Sequence, residues 1–214
     1  MRHVLILLGG KPPFPTAVPD VDLVIAADSG LHLADYYQRI PDVVIGDFDS
    51  VVPERLELAA ASGAQIVAHP TDKDATDFAL ALALAAERAA TEITIAGGIG
   101  GRLDHLLANA AAMTSPELRH ITVRARFGTA LLTAIHDAVE LIGAPGSYLS
   151  LLPVGGPAHG VRTTGLRWNL RSESLGSGTT RGVSNEFVAS PAQVELEQGT
   201  LLAIQPDGTN AIDS

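Results

Sequence analysis

A chain of 214 residues, 46% of them hydrophobic, is long enough to bury one large core or two smaller ones and to fold unaided. Its 14 basic against 24 acidic residues leave a net charge of −10 with no Lys/Arg-rich run, which argues against nucleic acid or an anionic membrane as the main partner; an anionic ligand would need local positive groups. The absence of cysteine removes disulfides, thiolate chemistry and cysteine-based zinc sites, and no apolar run approaches the roughly 20 residues of a membrane span, so the expected setting is the cytoplasm.

Val4 to Leu8 reads as a first strand, being too short an apolar run, and too poorly followed by small residues, for a signal peptide. After Gly9-Gly10 the stretch Lys11-Pro12-Pro13-Phe14-Pro15 is expected as an irregular loop, because proline fixes φ and removes a backbone donor. Leu23 to Ala27 forms a second strand ending at Asp28-Ser29-Gly30, and Leu31 to Gln38 a short helix. The third strand, Val43-Val44-Ile45, stops at Gly46 and delivers Asp47 and Asp49 to a loop on either side of Phe48. Aspartates after a strand are ordinary turn formers. Two ionised carboxylates ~4 Å apart nevertheless repel by about 4 kcal/mol at an effective dielectric of ~20, so a positive group is expected beside this pair.

Pro53 to Ser62 is helical by composition, Gly63 stands where a helix C-cap belongs, and Gln65 to Ala68 is a fourth strand. A polar segment with Asp72, Lys73, Asp74, Thr76 and Asp77 leads into a strong helix whose buried face is predicted to hold Phe78, Leu82, Ala85 and Ala89. Ile93 to Ala96 is a fifth strand, followed by Gly97-Gly98-Ile99-Gly100-Gly101-Arg102-Leu103-Asp104-His105 and a helix over Leu106 to Met113. Strands alternating with helices over residues 1 to about 130 predict a parallel sheet covered by helices, with ligands beyond the carboxyl ends of its strands. Seven aspartates, Asp28, Asp47, Asp49, Asp72, Asp74, Asp77 and Asp104, would then gather at one edge.

Beyond Thr133 the runs Val139 to Leu141, Ser147 to Leu152, Leu166 to Leu170, and Val194 to Ile204 with a turn near Gln198-Gly199 are short, extended and broken by glycine and proline. They predict a smaller antiparallel β domain, a sandwich, and a division of the chain into 1–132 and 133–214.

Helix capping and the helix dipole account for one or two of the aspartates, Asp72 or Asp74 before one helix and Asp104 before another, but not for all seven. A divalent cation resolves the conflict, and oxygen ligands without cysteine or a zinc-type histidine pair favour Mg²⁺, which commonly also binds substrate phosphates. A phosphorylated ligand accounts for Lys73 and Arg102 among the acids. The glycine run before a helix suits close backbone approach to phosphate, yet it is neither a Walker A loop nor GxGxxG, since Leu103 replaces the last glycine. An EF-hand beginning at Asp47 fails at Val52 and Leu58. Asp47-Phe48-Asp49-Ser50-Val51 fits the nucleophile motif of haloacid-dehalogenase-type phosphatases, but no later strand-borne Gly-Asp completes that site.

In order along the chain, Ala27-Asp28-Ser29-Gly30, Gly46-Asp47-Phe48-Asp49-Ser50, Asp72-Lys73-Asp74-Ala75-Thr76-Asp77, Gly101-Arg102-Leu103-Asp104-His105, Gly165-Leu166-Arg167-Trp168-Asn169-Leu170 and Gly182-Val183-Ser184-Asn185-Glu186-Phe187 resemble the motifs of thiamine pyrophosphokinases. The resemblance spans essentially the whole chain. It implies a Rossmann-like N-terminal α/β domain binding ATP and Mg²⁺, a C-terminal β-sandwich binding thiamine, and a homodimer with the active site between subunits. It also implies transfer of diphosphate from ATP to the hydroxyethyl group of thiamine, with AMP released. Carried over by motif position, Asp47, Asp49 and Asp77 are metal ligands, and Lys73, Thr76 and Arg102 are phosphate contacts. Asp28 and Asp104 line the site, and Ser184 and Asn185 reach thiamine. Asp77 or Asp104 accepts the hydroxyl proton. Trp168 either stacks on thiamine or, alternating with Leu166 and Leu170, joins the sandwich core; His105 orients Asp104 or packs. Competing functions are a pyrophosphokinase for another alcohol such as a pterin, the phosphatase, and a non-catalytic sensor.

Overall fold

The computed structural model describes residues 1–13 and 18–208; Phe14 and Pro15 of the expected proline-rich loop lie outside the described residues. The chain divides into two compact units, one of Met1–Ala112 with His120–Gly128, the other of Met113–Arg119 with the chain from Thr129 onward.

In the first unit the strands are β1 (His3–Leu7), β2 (Leu23–Ala27), β3 (Val43–Gly46), β4 (Gln65–Ala68), β5 (Glu92–Ala96) and β6 (Thr122–Phe127). The helices are α1 (Leu31–Tyr36), α2 (Pro53–Ala61), α3 (Asp77–Glu87) and α4 (Leu103–Ala112). Every pairing is parallel: β1 has β2 on one side and β5 on the other, β3 and β4 follow beyond β2, and β6 beyond β5. The chain therefore fills the sheet outward through β4 and then returns to the far side of β1, which places the reversal of strand order between β1 and β5. Alternation sends Leu5, Leu7, Val24, Ala26 and Val44 into one core with Leu31, Leu33 and Ala34 of α1. Helix α3 packs on β1, β2 and β3 and buries Phe78, Ala81, Leu82 and Ala85.

Ala89, predicted on the buried face of α3, is exposed: the helix ends at Glu87, Ala89 takes φ +59°, and Ala81 is the buried alanine instead. The predicted α1 stops before Gln38, which has φ +54°, and α4 begins three residues earlier than predicted, at Leu103. Strand β6 was not predicted, since two arginines interrupt its apolar pattern; Arg124 is matched across the sheet by Glu92 at 2.5 Å.

The second unit is a sandwich of two antiparallel sheets. Its strands are β7 (Ala130–Ile135), β8 (Ala138–Leu141), β9 (Tyr148–Pro153), β10 (Ala158–Thr164), β11 (Arg171–Leu175), β12 (Asn185–Glu186), β13 (Ala192–Glu195) and β14 (Leu201–Gln205). One sheet runs β12-β9-β14-β7 and the other β11-β10-β13-β8. Leu149, Leu151, Leu201 and Ala203 of the first meet Val161, Leu175, Ala192 and Val194 of the second around Phe187. The stretch from Val194 to Ile204, predicted as two runs joined by a turn, crosses between sheets: β13 pairs with β8 and β10, β14 with β7 and β9. Leu166 to Leu170 is not a strand either. The Asn169 carboxamide oxygen accepts from Leu166 N at 3.3 Å, bending the chain into a connector between β10 and β11 whose one bridge is Leu166 to Phe187.

Candidate active site

The loops after β1, β2, β3, β4 and β5 all open at the carboxyl edge of the parallel sheet, as its topology requires, and surround a cleft of about 600 Å³. Two features of the backbone aim its carboxylates. Asp28 sits at φ +47° at the head of a 3-10 turn, and Gly46 supplies the space: a Cβ there would lie 3.2 Å from Asp28 Cβ and 3.3 Å from Asp77 Cγ. Asp28, Asp47 and Asp49 each offer a carboxylate oxygen, all within 4.8 Å of one another. Asp77, on the first turn of α3, joins them through Lys73, whose Nζ lies 3.0 Å from Asp77 Oδ1 and 3.3 Å from Asp47 Oδ2. Thr76 caps α3, its hydroxyl accepting from Ala79 N at 3.2 Å, while also lining the cleft.

Four carboxylates share the cleft with the Lys73 ammonium, which pairs with two of them, and the ionisation of Asp47 and Asp49 reflects that crowding. Asp47 is held below the ordinary carboxylate range, first by the Asp49 amide, which donates to its Oδ1 at 3.2 Å, and also by Lys73. Asp49 is pushed upward, chiefly by the charge of Asp47 and further by Asp28 and Asp77. For Lys73, burial pulls the amine down, but its pairing with Asp77 and Asp47 more than offsets that and leaves it raised. Ser50 Oγ donates to Asp28 Oδ2, whereas Asp28 Oδ1 is buried and has no hydrogen-bond partner among the described residues. Three convergent carboxylates, one of them with a buried oxygen that has no hydrogen-bond partner among the described residues, and excess negative charge fit a hard divalent cation.

The other predicted site residues separate from this group. Arg102 lines the cleft but is exposed and grips Asp104 bidentately, Nε to Oδ1 at 3.1 Å and Nη2 to Oδ2 at 2.5 Å. Those bonds raise Arg102 and hold Asp104 low. Asp72, Asp74 and Asp104 are exposed and do not line the cleft, so the seven aspartates expected at one edge become four in the cleft. His105 hydrogen-bonds Asp104 through its backbone N–H at 3.1 Å, and His105 and Asn109, one turn later on α4, both line the cleft. Asn109, Ser29 and Ser50 are cleft residues that sequence reasoning missed; the spacing of Asn109 four after His105 was the available signal.

In the second unit Trp168 is 48% exposed with the Arg167 guanidinium 4.9 Å over its ring, so the core role expected from its alternation is overturned. Ser184 is exposed at φ +57°. Asn185 is 6% exposed and its carboxamide holds the preceding connector: Oδ1 accepts from Trp168 N at 3.0 Å and Glu186 N at 2.9 Å, and Nδ2 donates to Trp168 O at 2.8 Å. Asn185→Ala is expected to strand these backbone groups at about 1–3 kcal/mol and lower the melting midpoint by roughly 3–8 °C, which differential scanning calorimetry reads directly.

A family-level sequence model described as the thiamin pyrophosphokinase catalytic domain matches residues 14–125, and one described as the thiamin pyrophosphokinase vitamin B1 binding domain matches residues 137–201. Thiamine pyrophosphokinase 3 of Oryza sativa subsp. japonica is 32% identical over 176 residues, covering 78% of this chain and 63% of that protein. The rice thiamine pyrophosphokinase 1 is 30% identical over 165 residues, and the chain spans 58% of its length. Thiamine pyrophosphokinase of Bacillus subtilis is 27% identical over 219 residues, 96% of this chain and 99% of that one. The crystal structure of thiamine pyrophosphokinase from Bacillus subtilis superimposes with a TM-score of 0.82 at 26% identity, covering 95% of this chain and 98% of its own.

Proposed function

The chain belongs to the thiamin pyrophosphokinase family, and from that premise we propose that it transfers the terminal diphosphoryl group of ATP to the hydroxyethyl oxygen of thiamine, forming thiamine diphosphate and AMP. The observation that carries this reading is the convergence of Asp28, Asp47 and Asp49 within 4.8 Å, beside Lys73, at the carboxyl edge of a parallel sheet.

Asp47 and Asp49 are magnesium ligands in this reading. Asp28 completes the trio by position, and Asp77, the third ligand on sequence grounds, shares Lys73 with Asp47. Magnesium bound there supplies charge neutralisation of the polyphosphate, the main requirement of phosphoryl-type transfer. Lys73, Thr76 and Arg102 contact phosphate, offsetting charge on the transferred group and on departing AMP. Both oxygens of Asp104 already accept hydrogen bonds, Oδ1 from Arg102 and the His105 amide and Oδ2 from Arg102, which leaves Asp77 the better placed acceptor of the thiamine hydroxyl proton.

Residues 1–132 take the ATP and metal role and residues 133–214 the vitamin, with exposed Trp168 and Ser184 as its contacts. Asn185 serves them by fixing the connector that carries Trp168. A homodimer sharing its active site between subunits, acting in the cytoplasm without nucleic-acid or membrane partners, completes the proposal; no helix among the described residues is long and apolar enough to cross a membrane. Mixing Asp49→Ala with Trp168→Ala protein tests the shared site: partial recovery of activity through hybrid dimers is expected, and none after demonstrated subunit exchange places the site within one chain.

The function itself is tested by incubating the protein with Mg²⁺, ATP and thiamine and identifying products. AMP with thiamine diphosphate is expected. ADP, free phosphate or no turnover overturns the reading in favour of a simple kinase, a phosphatase or a sensor. Magnesium should also be visible without turnover: at about ten times its dissociation constant it raises the melting midpoint by roughly 3–5 °C near pH 7.5. Because the Asp49 carboxyl is raised, protons compete with the metal for it as the pH falls, so this increment should shrink in acid; an increment independent of pH counts against the carboxylate trio.

A further inference from the structure

The cleft has a cation at its rim to which the sequence motifs assign no role. Lys11 follows β1, and its loop is tied to the glycine loop after β5 by Gly98 N donating to Gly9 O at 2.8 Å and Lys11 N donating to Ile99 O at 2.9 Å. Gly10 is required there, since a Cβ would sit 2.3 Å from Ile99 O in a backbone at φ +108°. The tie lays the Lys11 stem along Gly100: a Cβ on Gly100 would stand 3.4 Å from Cγ, 3.8 Å from Cδ and 3.9 Å from Cε. Gly10 and Gly100 both line the cleft, and buried Pro13 anchors the segment just beyond Lys11.

This position has two consequences. The loops after β1 and β5 flank the reversal of strand order, the place in an open parallel sheet where a ligand enters between diverging connections. The carboxylates instead follow β2 and β3, with Asp77 opening α3, so the metal-binding side and the Lys11 side of the cleft differ in charge. Lys73 and Arg102, which line the cleft, are already engaged, Lys73 by Asp47 and Asp77, Arg102 by Asp104, while Lys11 at the rim makes no ion pair among the described residues. Asp28, Asp47, Asp49 and Asp77 against Lys73 sum to −3, so a polyanion entering this cleft gains most from a cation that need not abandon a carboxylate first.

We propose that Lys11 is a nucleotide-binding residue whose ammonium holds the β- and γ-phosphates of ATP from the glycine-loop side; this rests on the pyrophosphokinase reading. Glycine at 100 lets the stem of the exposed Lys11 lie along a residue that lines the cleft, so less rotamer entropy is lost when its ammonium takes hold of a phosphate there.

The test compares ATP with AMP, each titrated calorimetrically into full-length wild type, Lys11→Met and Lys11→Arg in Mg²⁺. Lys11→Met keeps the apolar stem and should weaken ATP binding about tenfold or more while leaving AMP within about twofold; Lys11→Arg should recover most of the loss. ATP binding should also become less sensitive to salt than in wild type. Equal weakening of AMP and ATP, or no weakening of ATP, overturns the assignment. Unchanged ATP affinity in Lys11→Met alongside a wild type that makes AMP and thiamine diphosphate defeats the Lys11 assignment alone, whereas a wild type that neither binds ATP nor forms AMP defeats both.

Discussion

Asp49→Ala should reduce thiamine diphosphate formation by about three orders of magnitude or more while leaving the melting midpoint within about 2 °C of wild type. The asymmetry follows from where the side chain stands. Asp49 is exposed and takes no part in either core cluster, and its backbone amide keeps donating to Asp47 when the side chain is cut back to alanine. Its carboxyl is raised by the neighbouring charge of Asp47, so in the metal-free protein ionised Asp49 is slightly unfavourable to folding at pH values above its folded-state pKa, and that penalty disappears as the pH falls through it. Removing the group therefore leaves the metal-free fold unharmed or slightly more stable at neutral pH. What it removes is one of three oxygens converging within 4.8 Å. Asp72→Ala is the control, since Asp72 is exposed and does not line the cleft; its rate should stay within about twofold of wild type. Steady-state assays over a range of Mg²⁺ paired with calorimetry check both, and a wild-type rate for Asp49→Ala at saturating metal would remove it from the site.

The parallel sheet was readable because its central strands are buried on both faces, which turns Val4 to Leu8, Leu23 to Ala27 and Val43 to Ile45 into uninterrupted apolar runs, each closed by glycine or aspartate. The same logic made Asp28, Asp47 and Asp49 visible as residues delivered to one edge. Which carboxylates lean together was not readable, because it turns on the missing Cβ of Gly46 and the left-handed backbone of Asp28, not on spacing. Asp72 and Asp74 carry the same letter as Asp77 within the same motif, yet only Asp77 opens the helix and so faces inward. Strands whose polar residues interrupt the apolar pattern were the hardest. β6 needs Glu92, 32 residues earlier, to accommodate Arg124, and β10 and β11 alternate polar and apolar residues too irregularly to stand out. Trp168 misled for a related reason: two-residue alternation with Leu166 and Leu170 has meaning only within a strand, and carboxamides from Asn169 and Asn185 hold that segment as a loop.

Lys73→Met should lower turnover by about two to three orders of magnitude and, unlike Asp49→Ala, should also destabilise the metal-free protein, by roughly 3–6 °C in melting midpoint. Lys73, Asp47 and Asp77 have side chains 14%, 12% and 23% exposed, so this ion-paired group is screened far less than a surface pair. Methionine keeps most of the stem and removes only the charge that holds two carboxylates together. The sign of the pH dependence is fixed by the shifts. Lys73 is raised, so its stabilisation is fully present below the unfolded pKa of about 10.4 and is lost as the pH climbs through the folded value. Asp47 is lowered, so its share is present above about 3.9 and is lost as the pH drops through its folded value. The stability gap between wild type and Lys73→Met should therefore be widest from about pH 5 to pH 10 and close at both extremes. Magnesium separates the two roles of the ammonium. A cation among the carboxylates should replace its electrostatic function in the fold and narrow the gap in melting midpoint, but it cannot supply a donor to phosphate, so the rate should remain low at any metal concentration. Recovery of the rate by magnesium alone would reduce Lys73 to a counter-ion for Asp47 and Asp77; a gap that persists unchanged in magnesium would mean that the metal does not enter among those carboxylates at all.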